Sequence, residues 1–174
     1  MTDPSKRLLR AKVVLLGAPG VGKTSLVQRF VHSIFSERYQ STIGVKVDRK
    51  SVELPHATVA MLLWDLHGET EGLDIPANYM RGASAGIVML DSGRSDTAEK
   101  AGELGRRFLD LSPDGMVFPV ASKSDLDVDW TEVDQAADRA GLEDVARLSA
   151  KEGHGVEEFF ARVATELAGA QTSS

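Results

Sequence analysis

Lys12-Val13-Val14-Leu15-Leu16 runs straight into Gly17-Ala18-Pro19-Gly20-Val21-Gly22-Lys23-Thr24, and Ser25-Leu26-Val27-Gln28-Arg29-Phe30-Val31 follows. The first segment is a β-rich apolar run and the last an amphipathic helical pattern, so the eight residues between them form a strand-to-helix turn. Each residue type in the turn has a physical task. Gly17, Gly20 and Gly22 let the chain bend so that backbone N–H groups from Gly20 and Val21 through Ser25 face inward. Lys23 supplies a positive charge, Thr24 a hydroxyl suited to a magnesium ion, and the helix opening at Lys23 the partial positive charge of its N-terminus. This pattern is a phosphate cradle, and in its strand–helix context it outweighs the plain reading of a glycine turn.

The whole chain narrows the rest. Its 174 residues suffice for one domain with a real core. There is no cysteine, which excludes disulfides, a thiol nucleophile, a thiolate zinc site and cysteine-linked lipids. A net charge of −6 and no offsetting basic stretch speak against nucleic acid. The longest apolar runs, such as Ala57 to Trp64, are too short to span a bilayer, and the start shows no signal-peptide core. These features predict a cytoplasmic protein without a direct lipid anchor, with flexible segments at 1–10 and 169–174 and one domain at 11–168.

Strand patterns at Lys12–Leu16, Val45–Leu54, Thr58–Trp64, Gly86–Leu90, Met116–Val120 and Val145–Leu148 alternate with helical ones at Lys23–Val31, Thr97–Leu111, Thr131–Ala140 and Val156–Leu167. Pro55-His56 joins the second and third strands as a hairpin. The reading is an α/β fold with a six-stranded, mostly parallel sheet, one antiparallel edge strand and helices on both faces. Its ligand belongs at the carboxyl ends of the strands. Pro119 conflicts with its place inside a predicted buried strand, because it removes a ladder donor.

Further short motifs follow the cradle in order: Tyr39-Gln40-Ser41-Thr42-Ile43-Gly44-Val45, Trp64-Asp65-Leu66-His67-Gly68-Glu69, Ser122-Lys123-Ser124-Asp125 and Leu148-Ser149-Ala150-Lys151. From about Lys12 to Leu167 the chain resembles a small GTPase of the Ras superfamily, nearest the Rab-like branch, which implies a P-loop NTPase fold binding GTP/GDP with magnesium. The resemblance makes Thr42 and Asp65 magnesium ligands beside Thr24, with Asp65 acting through water. It places Gly68 N–H and Lys23 at the γ-phosphate and Phe35 edgewise on the guanine. Asp125 is implied to read guanine N1 and N2, Lys123 to cover the base, and the Ser149-Ala150-Lys151 loop to meet O6. Adenine would leave Asp125 without a donor pair, so guanine is preferred.

Three residues depart from that pattern. Glu69 stands where a water-positioning glutamine is expected. At roughly 5 Å and an effective dielectric near 20 its charge would oppose a γ-phosphate charge by about 3 kcal/mol. Either Glu69 swings away and leaves hydrolysis slow, which is the favoured expectation, or it is protonated or acts as a base on water. Ser122 replaces an asparagine that ties the base-reading loop to the cradle and reaches the base, predicting affinity weaker by about 1–2 kcal/mol. Pro19 lacks an N–H and narrows the room for an external arginine. Arg38 is read as a solvated charge rather than a catalytic one.

The leading expectation is a monomeric nucleotide switch, with catalytic residues Lys23, Thr42, Gly68 and Glu69. It signals to a protein effector through loops 35–45 and 65–80, under an activating protein or an exchange factor. The alternative is a non-hydrolysing scaffold of the same fold. An ATPase or small-molecule kinase would need a substrate insertion or an arginine-rich lid, and the sequence has neither.

Overall fold

The computed structural model describes residues 6–38, 44–66 and 75–171. In chain order they form β1 (Arg7–Gly17), α1 (Lys23–His32), β2 (Val45–Glu53), β3 (Ala57–Leu66), α2 (Ala77–Met80), β4 (Ala85–Asp91), α3 (Thr97–Leu111), β5 (Met116–Ser122), α4 (Trp130–Arg139), β6 (Ala146–Arg147) and α5 (Val156–Ala170). The strands make one six-stranded sheet in the order β2-β3-β1-β4-β5-β6. Only the edge strand β2 is antiparallel, returning through the Pro55-His56 turn onto β3 with Leu54 N–H donating to Ala57 O at 2.8 Å.

The alternation of β1 sends its side chains into two cores. Leu9, Ala11, Val13 and Leu15 pack under α1 and α5, while Val14 and Leu16 pack under α2, α3 and α4. Phe30 of α1 stacks on Phe160 of α5 at 3.8 Å between ring centroids, which closes the first layer. In the second, Phe108 of α3 lies against Gly86, where a Cβ would come within 3.0 Å of its ring. Helices therefore cover both faces of the sheet, as the pattern predicts.

Several boundaries differ from the sequence reading. β1 begins at Arg7, inside the segment 1–10 expected to be flexible, because Arg7–Arg10 pair with Ala57–Ala60 of β3. At the other end α5 runs to Ala170, past the expected limit at 168. α4 starts at Trp130, one residue early, since the Asp129 side chain caps it by accepting from Thr131 N–H and Glu132 N–H. The single turn α2 is too short to show a period in sequence.

Pro119 sits in β5 opposite Val88 without breaking the sheet. Met116 N–H donates to Ser84 O and Ser122 O accepts from Ser92 N–H, so even-numbered residues of β5 bond toward β4. By alternation, the missing N–H of Pro119 faces β6, and that two-residue ladder begins only at Val120. The proline thus spares the central pairing, and β6 covers only Ala146–Arg147 of the expected Val145–Leu148.

Candidate functional site

Register and crossover connections bring Gly17, Asp65, Asp91 and Ser122 to the carboxyl ends of adjacent strands, each at or near the end of its strand. A cleft of about 760 Å³ opens there. Its lining includes Gly20, Gly22, Lys23, Thr24 and Ser25 from the turn into α1. Phe35 and Arg38 line it from the following loop, Asp65 from β3, Ser122, Lys123 and Asp125 from the end of β5, and Ala150 and Lys151 from the last loop. Val21 and Ser149 are fully buried behind that surface. Thr42, Gly68 and Glu69 lie outside the described residues.

The turn is bent as its glycines require. Gly22 has φ 102, a left-handed conformation closed to most residues. At Gly17 a Cβ would come within 2.7 Å of the Met89 carbonyl oxygen, so only glycine lets β1 and β4 approach here. The Lys23 ammonium, 6% exposed, donates to Gly17 O at 2.9 Å and Ala18 O at 3.2 Å and so lies across the mouth of the turn. Val21 N–H turns back to Ala18 O at 3.4 Å.

Thr24 and Asp65 meet at the cleft floor, with the Thr24 hydroxyl donating to Asp65 Oδ2 at 2.5 Å. Asp65 is 1% exposed, and its Oδ1 has no hydrogen-bond partner among the described residues. Burial raises the carboxyl's pKa above its ordinary value, and the Asp48 carboxylate adds to that. The Thr24 hydrogen bond and the charges of Lys23 and Lys46 pull the other way. A buried carboxylate with an unpartnered oxygen beside a hydroxyl is the donor set of a hard divalent cation, so these two residues fit the magnesium that the sequence implies.

At the other end of the cleft, Asp125 Oδ1 accepts from the Ser149 hydroxyl at 2.7 Å, and Ser149 Oγ accepts from Glu152 N–H at 3.0 Å. Lys151 pairs with Glu37 at 3.1 Å, which raises the ammonium's pKa. Ser122 Oγ lies 2.5 Å from Val21 O and 3.1 Å from Leu90 O. The tether that serine was expected to lose is therefore made by a shorter route: the hydroxyl binds the cradle's own carbonyl. Lys123 takes a left-handed φ of 59, which costs a non-glycine residue about 1–2 kcal/mol. Its ammonium offsets that cost, donating to Gly20 O at 3.0 Å and Asp91 Oδ2 at 2.6 Å.

Two supporting residues escaped the sequence reading. Asp91, 2% exposed, ends β4 as Asp65 ends the apolar run of β3, and that parallel was the available signal. Arg29 reaches from α1 to Ala150 O at 2.6 Å and Lys151 O at 2.8 Å, holding the last loop in place. Nothing in an arginine on a helix announces that role.

Comparison with known proteins agrees with this geometry. The family described as "Ras family" matches residues 12–169. "Ras-related protein Rab-19" of Mus musculus is 34% identical over 161 residues, covering 90% of this chain and 74% of the relative. "Ras-related protein YPTC6" of Chlamydomonas reinhardtii is 36% identical over 162 residues, again covering 90% and 74%. The "Ras-related protein Rab-19" of Xenopus laevis is 33% identical over 167 residues, covering 90% and 76%. With the sheet order, the cradle and the two loops behind it in sequence, the chain belongs to the Ras family as a Rab-like small GTPase.

Proposed function

We propose that the chain is a magnesium-dependent guanine-nucleotide switch that hydrolyses GTP slowly. The observation that carries this reading is the single cleft in which the phosphate cradle, the Thr24–Asp65 pair and the Ser149-aimed Asp125 face one space. In it, Gly20 through Ser25 hold the phosphates, Lys23 turns its charge to the outer ones, and Phe35, Ser122, Lys123, Asp125, Ser149, Ala150 and Lys151 enclose guanine. Magnesium would be held by Thr24, Thr42 and, through water, Asp65; it would neutralise phosphate charge. Gly68 N–H meets the γ-phosphate, and loops 35–45 and 65–80 present the nucleotide state to a protein effector.

Single-turnover hydrolysis tests this reading: protein loaded with GTP and magnesium should form GDP steadily. GTP that stays intact over many hours would favour the non-hydrolysing scaffold. Glu69→Gln is expected to raise the rate on the order of tenfold, about the worth of one hydrogen bond to the attacking water. A variant no faster than the native chain would remove Glu69 as the cause of slow turnover.

Ser122→Asn is expected to tighten GDP binding by about 1 kcal/mol. The existing tether to Val21 O accounts for the rest of the difference first expected from this substitution. Competition titration against a fluorescent GDP analogue measures it, and an unchanged dissociation constant would mean that the tether was all the asparagine offered.

A further inference from the structure

We infer that Arg94 is a positioning residue for the phosphate cradle: it holds the Pro19 carbonyl from outside the cleft and thereby turns Gly20 N–H inward. This inference rests on the nucleotide-binding reading above. Arg94 follows β4 and is half-exposed. Its Nη2 donates to Pro19 O at 2.9 Å and its Nε to Asp91 Oδ2 at 3.2 Å.

The local geometry makes that contact consequential. Ala18 to Val21 is a tight turn closed by Val21 N–H to Ala18 O, with Gly20 at φ 74. Proline's fixed φ at the second position and a positive φ at the third define a type II turn. Types I and II differ in the flip of the middle peptide, here Pro19–Gly20. In a trans peptide the carbonyl oxygen and the amide hydrogen point opposite ways. Whatever grips Pro19 O therefore aims Gly20 N–H. Pro19 and Gly20 line the cleft and Arg94 does not, so the hydrogen opposite Arg94 is directed to the cleft side.

Asp91 makes this a two-point clamp. The same Oδ2 that receives Arg94 receives the Lys123 ammonium, which itself holds Gly20 O; Gly93 N–H donates to Oδ1. One buried carboxylate thus aims two cations at consecutive cradle carbonyls through charge-assisted bonds. Arginine suits the outer place because its fork reaches two separated acceptors, whereas lysine is a point donor. Pro19 has already removed one N–H from the cradle, so the direction of the next one matters more.

The test measures magnesium-supported binding of GDP by calorimetry, and of guanosine, which has no phosphate, by ligand-observed NMR. Arg94→Ala should weaken GDP about tenfold and leave guanosine unchanged, with Arg94→Lys intermediate. Native protein that binds GDP no better than Arg94→Ala overturns the inference alone. An equal loss for guanosine also overturns it, since the change would then be general loosening. Native protein that binds no GDP overturns the nucleotide reading and the inference with it.

Discussion

Asp65→Asn is expected to stabilise the nucleotide-free protein at neutral pH while weakening its response to magnesium roughly a hundredfold. Both effects come from one buried oxygen. Asp65 Oδ1 has no partner among the described residues, and burial raises the pKa of its carboxyl. A carboxyl whose folded pKa exceeds its unfolded one contributes stability below the unfolded value, and that contribution is lost as pH rises through the folded value. At neutral pH the ionised group therefore opposes folding. Asparagine removes the charge yet keeps an acceptor for the Thr24 hydroxyl. The nucleotide-free, magnesium-free variant should melt a few degrees higher at about pH 7. That gap should close on acidification, as the native carboxyl takes up its proton. Magnesium titrations of GDP release should show the opposite: native protein retains GDP more firmly as magnesium rises, and the variant needs roughly a hundredfold more to do so. A variant that melts lower than native at neutral pH, with an unchanged magnesium requirement, would refute both halves.

Asp65 also shows what a sequence can and cannot convey. Its place after an apolar run marks it as a strand-end carboxylate in a sheet whose ligands sit at strand ends. The same pattern marks Asp91, which ends β4 outside the short motifs quoted above. The alternation of β1, the cradle and the amphipathic stripe of α5 were legible because each is local, written in a period or a spacing. What escaped depends on partners far along the chain. β1 extends to Arg7 only because Ala57–Ala60 lie beside it, and Pro119 is harmless only because β6 is short. Arg29, Arg94 and Ser122 act through carbonyl oxygens of remote loops, and a carbonyl has no sequence identity. Side chains that line the cleft were therefore easier to nominate than those that hold its backbone from behind.

Asp125→Asn should carry the largest cost, about 4 kcal/mol in GDP binding or roughly a thousandfold in dissociation constant, because Ser149 dictates which way the new amide faces. Glu152 N–H occupies a lone pair of the Ser149 oxygen, and the hydroxyl's one hydrogen goes to Asp125 Oδ1. An asparagine at 125 must then turn its own oxygen to Ser149 and its NH2 group to the base. Guanine presents donors on that edge, at N1 and N2, so the charge-assisted bonds proposed for Asp125 would give way to a donor facing donors. Inosine diphosphate, which lacks the N2 amine, separates the two contributions: the native chain should prefer GDP to it, and Asp125→Asn should not. The same change should collapse the preference for GDP over ADP, since adenine's N1 is an acceptor that the amide can serve. Ser149→Ala in the Asp125→Asn background frees the amide to rotate and should recover part of the GDP affinity. Native protein binding GDP and ADP equally well would remove Asp125 as the reader of guanine, and a variant with native GDP affinity would do the same.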